Sequence, residues 1–268
     1  MRALLGAAPK SEGGVALSPE ERADASLFAA QRLGFQPDAV QAQVLSSEIR
    51  RGILNCSRQW GKTTVTAVKA VHHAASLPGS TTLLVSATWD QVADFLERVK
   101  GMLGTLGMGF ECKGGKRKTL RLANGSAIIA VSARSNMRGI SGVSLMLIDE
   151  AAEVSDAAYR RLRPMRATIE HGGWLWLMST PQGRKGFFYE EWENGGPRWT
   201  RIAVPATECP RIGAEFLEEE RESMGDRWFR QEFLCEFLET RSSLFREEDI
   251  ENCLFDALPP LWRSGAEY

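Results

Sequence analysis

The junction at residues 53–64 restricts the fold more than anything else in the chain. Ile53 to Cys56 is a short apolar run, Ser57-Arg58-Gln59-Trp60-Gly61-Lys62-Thr63 follows at once, and Thr64 leads into a stretch rich in Ala and Val. The pattern is G-x-x-x-x-G-K-[ST] with Cys56 in place of the first glycine. A tight loop between a strand and a helix start turns several backbone N–H groups toward one point, where the helix dipole also favours negative charge. Gly61 keeps the last glycine, Lys62 is a cation able to reach the β and γ phosphates, and Thr63 offers a hydroxyl to Mg²⁺. Ser57, Arg58, Gln59, Trp60, Gly61, Lys62, Thr63 and Thr64 are therefore the expected phosphate-binding residues, with ATP and Mg²⁺ as ligands. The plainer reading is a helix start carrying a solvated lysine.

Such a loop belongs in a parallel sheet, and the rest of the chain supplies one. Apolar strands are expected over Ile53 to Cys56, Thr82 to Ser86, Val143 to Ile148 and Trp174 to Met178. They alternate with amphipathic stretches over Ser18 to Leu33, Pro37 to Arg50, Lys62 to Ser76 and Asp90 to Leu106. That alternation predicts an α/β fold, a mostly parallel sheet flanked by helices. Lys118 to Ala133 interrupts it, because Asn124-Gly125 parts two β-rich runs and predicts a type I′ hairpin inserted at the sheet edge. From Ala214 to Glu239 the pattern is helical throughout, with Phe229, Phe233 and Phe237 at i, i+4 on one face, which predicts a small helical subdomain. The expected organisation is a mobile tail over 1–25, a nucleotide-binding core over 26–204, a helical lid over 205–240 and a linker over 241–268.

Composition narrows the class. With 43% hydrophobic and 25% charged residues the chain is of the ordinary globular kind. No apolar run reaches the roughly 20 residues of a membrane helix, and Met1 to Ala8 lacks a convincing cleavage site, so no membrane partner and a cytosolic setting are expected. The five cysteines (Cys56, Cys112, Cys209, Cys235, Cys253) lack C-x-x-C spacing, which indicates neither a zinc site nor a disulfide framework. A net charge of −1 leaves nucleic-acid contact to local basic patches.

Three further elements fit the first loop. Leu145-Met146-Leu147-Ile148 runs into Asp149-Glu150, a buried strand ending in two carboxylates and so a Walker B pattern. Asp149 is placed to hold Mg²⁺ through water, and Glu150, pointing the other way, to polarise the attacking water as general base. The bland alternative is a pair of acids capping the next helix. Upstream, Gly34-Phe35-Gln36-Pro37-Asp38-Ala39-Val40-Gln41 resembles the Q-motif of helicase-like ATPases; Gln41, favoured over Gln43, offers the donor and acceptor that the adenine edge needs, and Phe35 a ring to pack on the base. Otherwise this is a helix start with Pro37 in its first turn. Ser179-Thr180-Pro181 follows the last expected strand, where its hydroxyls would sense the γ-phosphate; alone it is a turn.

In this order the residues resemble the large terminase subunits, the DNA-packaging ATPases of tailed viruses. Their deviant loop is similar to Ser57-Arg58-Gln59-Trp60-Gly61-Lys62-Thr63, their Asn-x-x-Arg-Gly element to Asn136-Met137-Arg138-Gly139, their coupling motif to Ser179-Thr180-Pro181, and their closing segment to Phe229-Arg230-Gln231-Glu232-Phe233-Leu234-Cys235-Glu236-Phe237. The resemblance covers about Phe35 to Glu239 and implies a P-loop NTPase of the ASCE, RecA-like kind. It further implies ATP hydrolysis that drives double-stranded DNA into a capsid, a homo-oligomeric ring (a pentamer) on a portal protein, a small terminase subunit as partner, and a place in the host cytoplasm at the procapsid portal. A nuclease domain with metal-binding carboxylates follows in that family, so nuclease activity is not expected of this stretch.

Two rivals remain. A superfamily-2-like helicase shares these motifs but needs a second motor domain, and a silent nucleotide-binding switch would have no use for Glu150. For DNA, the candidates are Lys113, Lys116, Arg117 and Lys118 beside the hairpin, then Arg160, Arg161, Arg163 and Arg166, which would serve a subunit interface equally well. Arg138 is the candidate arginine finger acting on a neighbour's ATP, with Arg58 its rival in cis.

Overall fold

The structure, a computed structural model, describes residues 15–46, 48–115 and 117–239. Among them eight strands form one sheet: β1 (Arg51–Cys56), β2 (Thr81–Ser86), β3 (Phe110–Lys113), β4 (Arg117–Leu122), β5 (Ala127–Ser132), β6 (Leu145–Asp149), β7 (Trp174–Ser179) and β8 (Thr200–Val204). Their order is β3-β4-β5-β2-β6-β7-β1-β8. From β5 to β8 every pair is parallel, while β3 and β4 extend the β5 edge antiparallel. The inner strands are buried on both faces, which is why they read as unbroken apolar runs, whereas β3 is exposed throughout.

Alternation along each strand feeds two cores. In β1, Leu54 and Cys56 join the core under α2 (Ala25–Leu33), α3 (Ala39–Leu45), α4 (Lys62–Ser76) and α5 (Trp89–Thr105), with α1 (Pro19–Ala23) preceding α2. Ile53 points the other way, into the core under α6 (Asp156–Leu162) and α7 (Gly186–Glu193). On the first face Gly52 is required, because a Cβ would stand 2.4 Å from the ring of Trp176, which belongs to the core of Leu54 and Cys56. A third, small cluster of Ala206, Leu217, Phe229 and Phe233 unites α8 (Ala214–Met224) and α9 (Asp226–Glu232).

The structure corrects five expectations. Residues 15–25 are not a free tail: Ser18 and Glu21 form a capping box, Glu21 is buried, and its carboxylate takes a 2.9 Å bond from Arg32, a partner that no local pattern shows. Asp24 then divides the expected Ser18 to Leu33 helix by capping α2. Pro37 lies outside α3, whose N-cap is Asp38, and the helix ends at Leu45 well short of Arg50. At the hairpin only Gly125 has positive φ, and Leu122 accepts from Gly125 N–H while its own N–H reaches Ser126; the loop is a three-residue one, since type I′ would need Asn124 left-handed too. Finally, Gly225 breaks the long helix expected over 214–239, and Phe237 leaves the Phe229–Phe233 stack to pack on Phe188, Tyr189 and Trp192. The expected linker over 241–268, residue 240 and residues 1–14 lie outside the described residues.

Candidate nucleotide site

β1 ends at Cys56 and the chain turns back through Gln59 (φ 62) and Gly61 (φ 101), so that α4 opens at Lys62 with its free N–H groups facing outward. Ser57 to Thr64 line a cleft of about 400 Å³. Glu150 and Thr180 line it from the ends of β6 and β7, Glu232 from α9, and Gln91 and Arg98 from α5. The Trp60 side chain, by contrast, is sunk in the core.

Lys62, Glu150, Ser179 and Thr180 form a connected set of polar contacts at the base of the cleft. Lys62 Nζ lies 3.5 Å from Glu150 Oε1 and donates to Thr180 Oγ1 at 3.4 Å. Thr180 donates in turn to the Cys56 carbonyl at 3.1 Å. Ser179 Oγ donates to Glu150 Oε2 at 3.3 Å and accepts from Ala152 N–H at 3.2 Å. Glu150 is held in the left-handed region (φ 48, ψ 47), which turns its carboxylate away from the line of β6 and toward Lys62. Of the two hydroxyls at the end of β7, Thr180 thus touches the lysine and Ser179 the acid.

Asp149 closes β6 and is buried; burial first, then the Glu150 charge, push its carboxyl up to about 6, with Lys62 pulling the other way. Burial opposes the Lys62 ammonium, but the carboxylates of Glu150 and Asp149 pull the other way and its pKa is raised. Thr63 lines the cleft and Asp149 does not, lying buried one residue before Glu150, which does. A buried carboxylate that resists ionisation at that place has the chemistry of a hard divalent cation's ligand, such as one for Mg²⁺, which takes oxygen ligands and relieves that cost.

Other expected residues fall elsewhere. Gln41 reaches the loop, but as a buried strut: its Oε1 accepts from Asp38 N–H at 3.1 Å and its Nε2 donates to the Trp60 carbonyl at 3.2 Å. In this arrangement the amide is used within the protein instead of facing adenine, and Phe35 packs against the core. Arg211 braces the same point, bonding Trp60 O at 2.7 Å and Asp38 at 2.9 Å. Arg58 lines the cleft but pairs with Glu232 at 2.6 Å. Arg138 does not line it; exposed, it borders a separate depression with Arg161 and Met165.

The basic hairpin does not form one patch. Arg117 and Lys118 are consecutive in β4 and so face opposite sides of the sheet, and Lys113 pairs with Glu111, while Lys116 lies outside the described residues. Arg117 instead borders an 800 Å³ cavity with Arg134 and Trp89. The second basic group disperses likewise: Arg163 pairs with Glu191 and Arg166 is buried. Missed altogether from the sequence were Gln91 and Arg98, which carry no motif and reach the cleft only through the packing of α5; Glu232 was read only as part of the closing segment, and α9 brings it to the cleft.

A family model described as terminase large subunit, T4likevirus-type, N-terminal, matches residues 53–252. The large terminase subunit of Thermus phage G20c is 24% identical over 260 residues, which is 81% of this chain and 52% of that protein. The chain spans about half the length of the curated relatives it matches. Among solved structures, the large terminase ATPase domain of Thermus phage P74-26 shares the fold at a TM-score of 0.64 and 23% identity, over 80% of this chain and 99% of that domain. The large terminase of a thermophilic bacteriophage, solved with ATP-γ-S, shares it at a TM-score of 0.60 and 16% identity, over 75% of this chain and 52% of that one. Among the described residues no helix is long and apolar enough to cross a membrane. The match over most of its length makes this chain a member of the terminase large-subunit family, within the family's N-terminal region.

Proposed function

We propose that this chain binds ATP with Mg²⁺ and hydrolyses it at the γ-phosphate, as the ATPase part of a motor that moves viral double-stranded DNA into a capsid. The observation that carries the reading is the contact of Lys62, Glu150, Ser179 and Thr180 at the mouth of α4. The loop N–H groups cradle phosphate oxygens, and Lys62 exchanges its Glu150 and Thr180 contacts for them. Glu150, oriented by Ser179, takes the proton of the attacking water. Thr63 and Asp149 would hold Mg²⁺, whose charge neutralises the phosphates when it is bound. The ATP-γ-S complex of a terminase with this fold supports the choice of ligand.

The remaining steps go to partners. Arg138, away from its own cleft and exposed, is proposed as a finger for a neighbouring copy's ATP in a homo-oligomeric ring on the portal; for Arg58 to act in cis it must first leave Glu232. Arg117 and Arg134 are proposed to contact the DNA backbone. The host cell, at the procapsid portal, is the proposed setting. Steady-state phosphate release by the pure chain, with and without linear double-stranded DNA, tests the reading. Turnover that DNA stimulates and Glu150→Gln abolishes is expected; binding without turnover would make the chain a silent switch.

A further inference from the structure

Three cations line the nucleotide cleft, and they differ in what they already hold. Arg58 is paired with Glu232 and Lys62 lies beside Glu150, each within ion-pair distance. Arg98 makes no ion pair among the described residues; its Nη1 donates only to the Thr64 hydroxyl, at 3.3 Å. Thr64 is in the first turn of α4, its own N–H bonded to the Gly61 carbonyl at 3.1 Å, at the helix end where the dipole favours an anion.

The element that presents Arg98 is firmly placed. α5 starts with a capping box in which Thr88 Oγ1 accepts from Gln91 N–H and Gln91 Oε1 accepts from Thr88 N–H at 3.1 Å. Ser86 Oγ, at the end of β2, donates to the same Gln91 oxygen at 2.7 Å and ties the helix to the sheet. Val92, Phe95, Leu96 and Val99 are buried, so the helix cannot roll, and Arg98 stays on its exposed face over the cleft.

We infer that Arg98 is a nucleotide ligand: its guanidinium binds oxygens of the phosphates that ADP and ATP share, in exchange for the Thr64 hydroxyl. This rests on the nucleotide reading of the cleft and adds a residue to it. A guanidinium offers five donors in a fixed fork, which suits the oxygens of one phosphate, and one beside a helix start meets anions already favoured there. The competing role, a simple tie between α5 and α4 through Thr64, makes no use of the charge.

Titration calorimetry of ADP into the full chain separates the possibilities, using the parent, Arg98→Ala, Arg98→Lys and Lys62→Ala. Arg98→Ala is expected to weaken ADP by about tenfold, the size of one charge-assisted hydrogen bond in a half-open site. The KM for ATP should rise by a similar factor with a smaller change in kcat, the melting temperature should hold, and Arg98→Lys should recover part of the affinity. ADP binding to Arg98→Ala within about twofold of the parent overturns the inference, as does a loss matched by a lowered melting temperature, which makes Arg98 a tie. If Lys62→Ala weakens ADP and Arg98→Ala does not, only Arg98 is misassigned. If the parent itself binds no ADP, the reading of the whole cleft falls.

Discussion

Lys62 and Lys69 stand two turns apart on one face of α4, both nearly removed from solvent, yet they meet opposite surroundings. Lys62, at the mouth, faces Glu150 and a hydroxyl, and its pKa is raised. Lys69 donates to the carbonyls of Val44, Leu45 and Ser46 at 2.9, 3.4 and 3.2 Å, closing the C-terminal end of α3, and sits 4.7 Å over the Trp176 ring. Burial pulls its ammonium down to about 7. The lesson is in the kind of partner. Main-chain carbonyls are fixed and make Lys69 a structural pin, whereas a carboxylate and a hydroxyl can turn aside when a phosphate arrives.

The largest effect that sharpens this contrast is on turnover. Lys62→Ala is expected to lower kcat/KM for ATP by about 10²-fold or more, as the loss of a charge aimed at the reacting phosphates does, while Lys69→Met stays within a few-fold of the parent. A phosphate-release assay decides, and an equal loss in both variants would break the contrast. In stability the order should reverse. Lys69→Ala leaves buried carbonyls without donors and is expected to cost about 3 kcal/mol in urea melts, against under about 1 kcal/mol for Lys62→Ala.

A pH effect follows from the acid beside Lys62. Asp149 has its folded pKa raised to about 6 from 3.8, so between those values the folded chain holds a proton that the unfolded chain has lost. Stability therefore falls as pH rises through this window, and Asp149→Asn removes the fall. The variant should gain roughly 2 kcal/mol over the metal-free parent at pH 8, with little gap near pH 4. A gap that ignores pH would show that Asp149 ionises without cost. The smallest effect is at Arg58. Its pair with Glu232 has the arginine side chain 70% exposed, so Arg58→Ala is expected to cost under about 1 kcal/mol in the same melts.

What was legible in the sequence was local. α4 runs from Lys62 to Ser76 as its spacing predicts, and the phosphate loop and the Asp149-Glu150 strand end declare themselves through contiguous residues. What escaped was set by contacts across distance. Gln41 reads as a free amide until Trp60, nineteen residues on, claims it. Arg98 looks like any solvated residue on the polar face of an amphipathic helix, because nothing in α5 records that Thr64 is near. Phe237 keeps helical spacing with Phe229 and Phe233, yet α7 offers it three aromatic rings and the helix stops first. Lys118 failed as a partner for Arg117 for a simpler reason, since strand alternation separates neighbours that a charge count groups together.

Cys56, which replaces the first glycine of the phosphate loop, has a further consequence. Its thiol is fully buried and pushed up to about 12 by that burial, so the closed protein offers an alkylating reagent no thiolate there. Cys112, exposed on β3, reacts without any such opening. The chain therefore carries its own stopwatch: the delay of Cys56 modification behind that of Cys112 times how often the floor of the loop breathes, and a ligand that seals the loop would slow the clock.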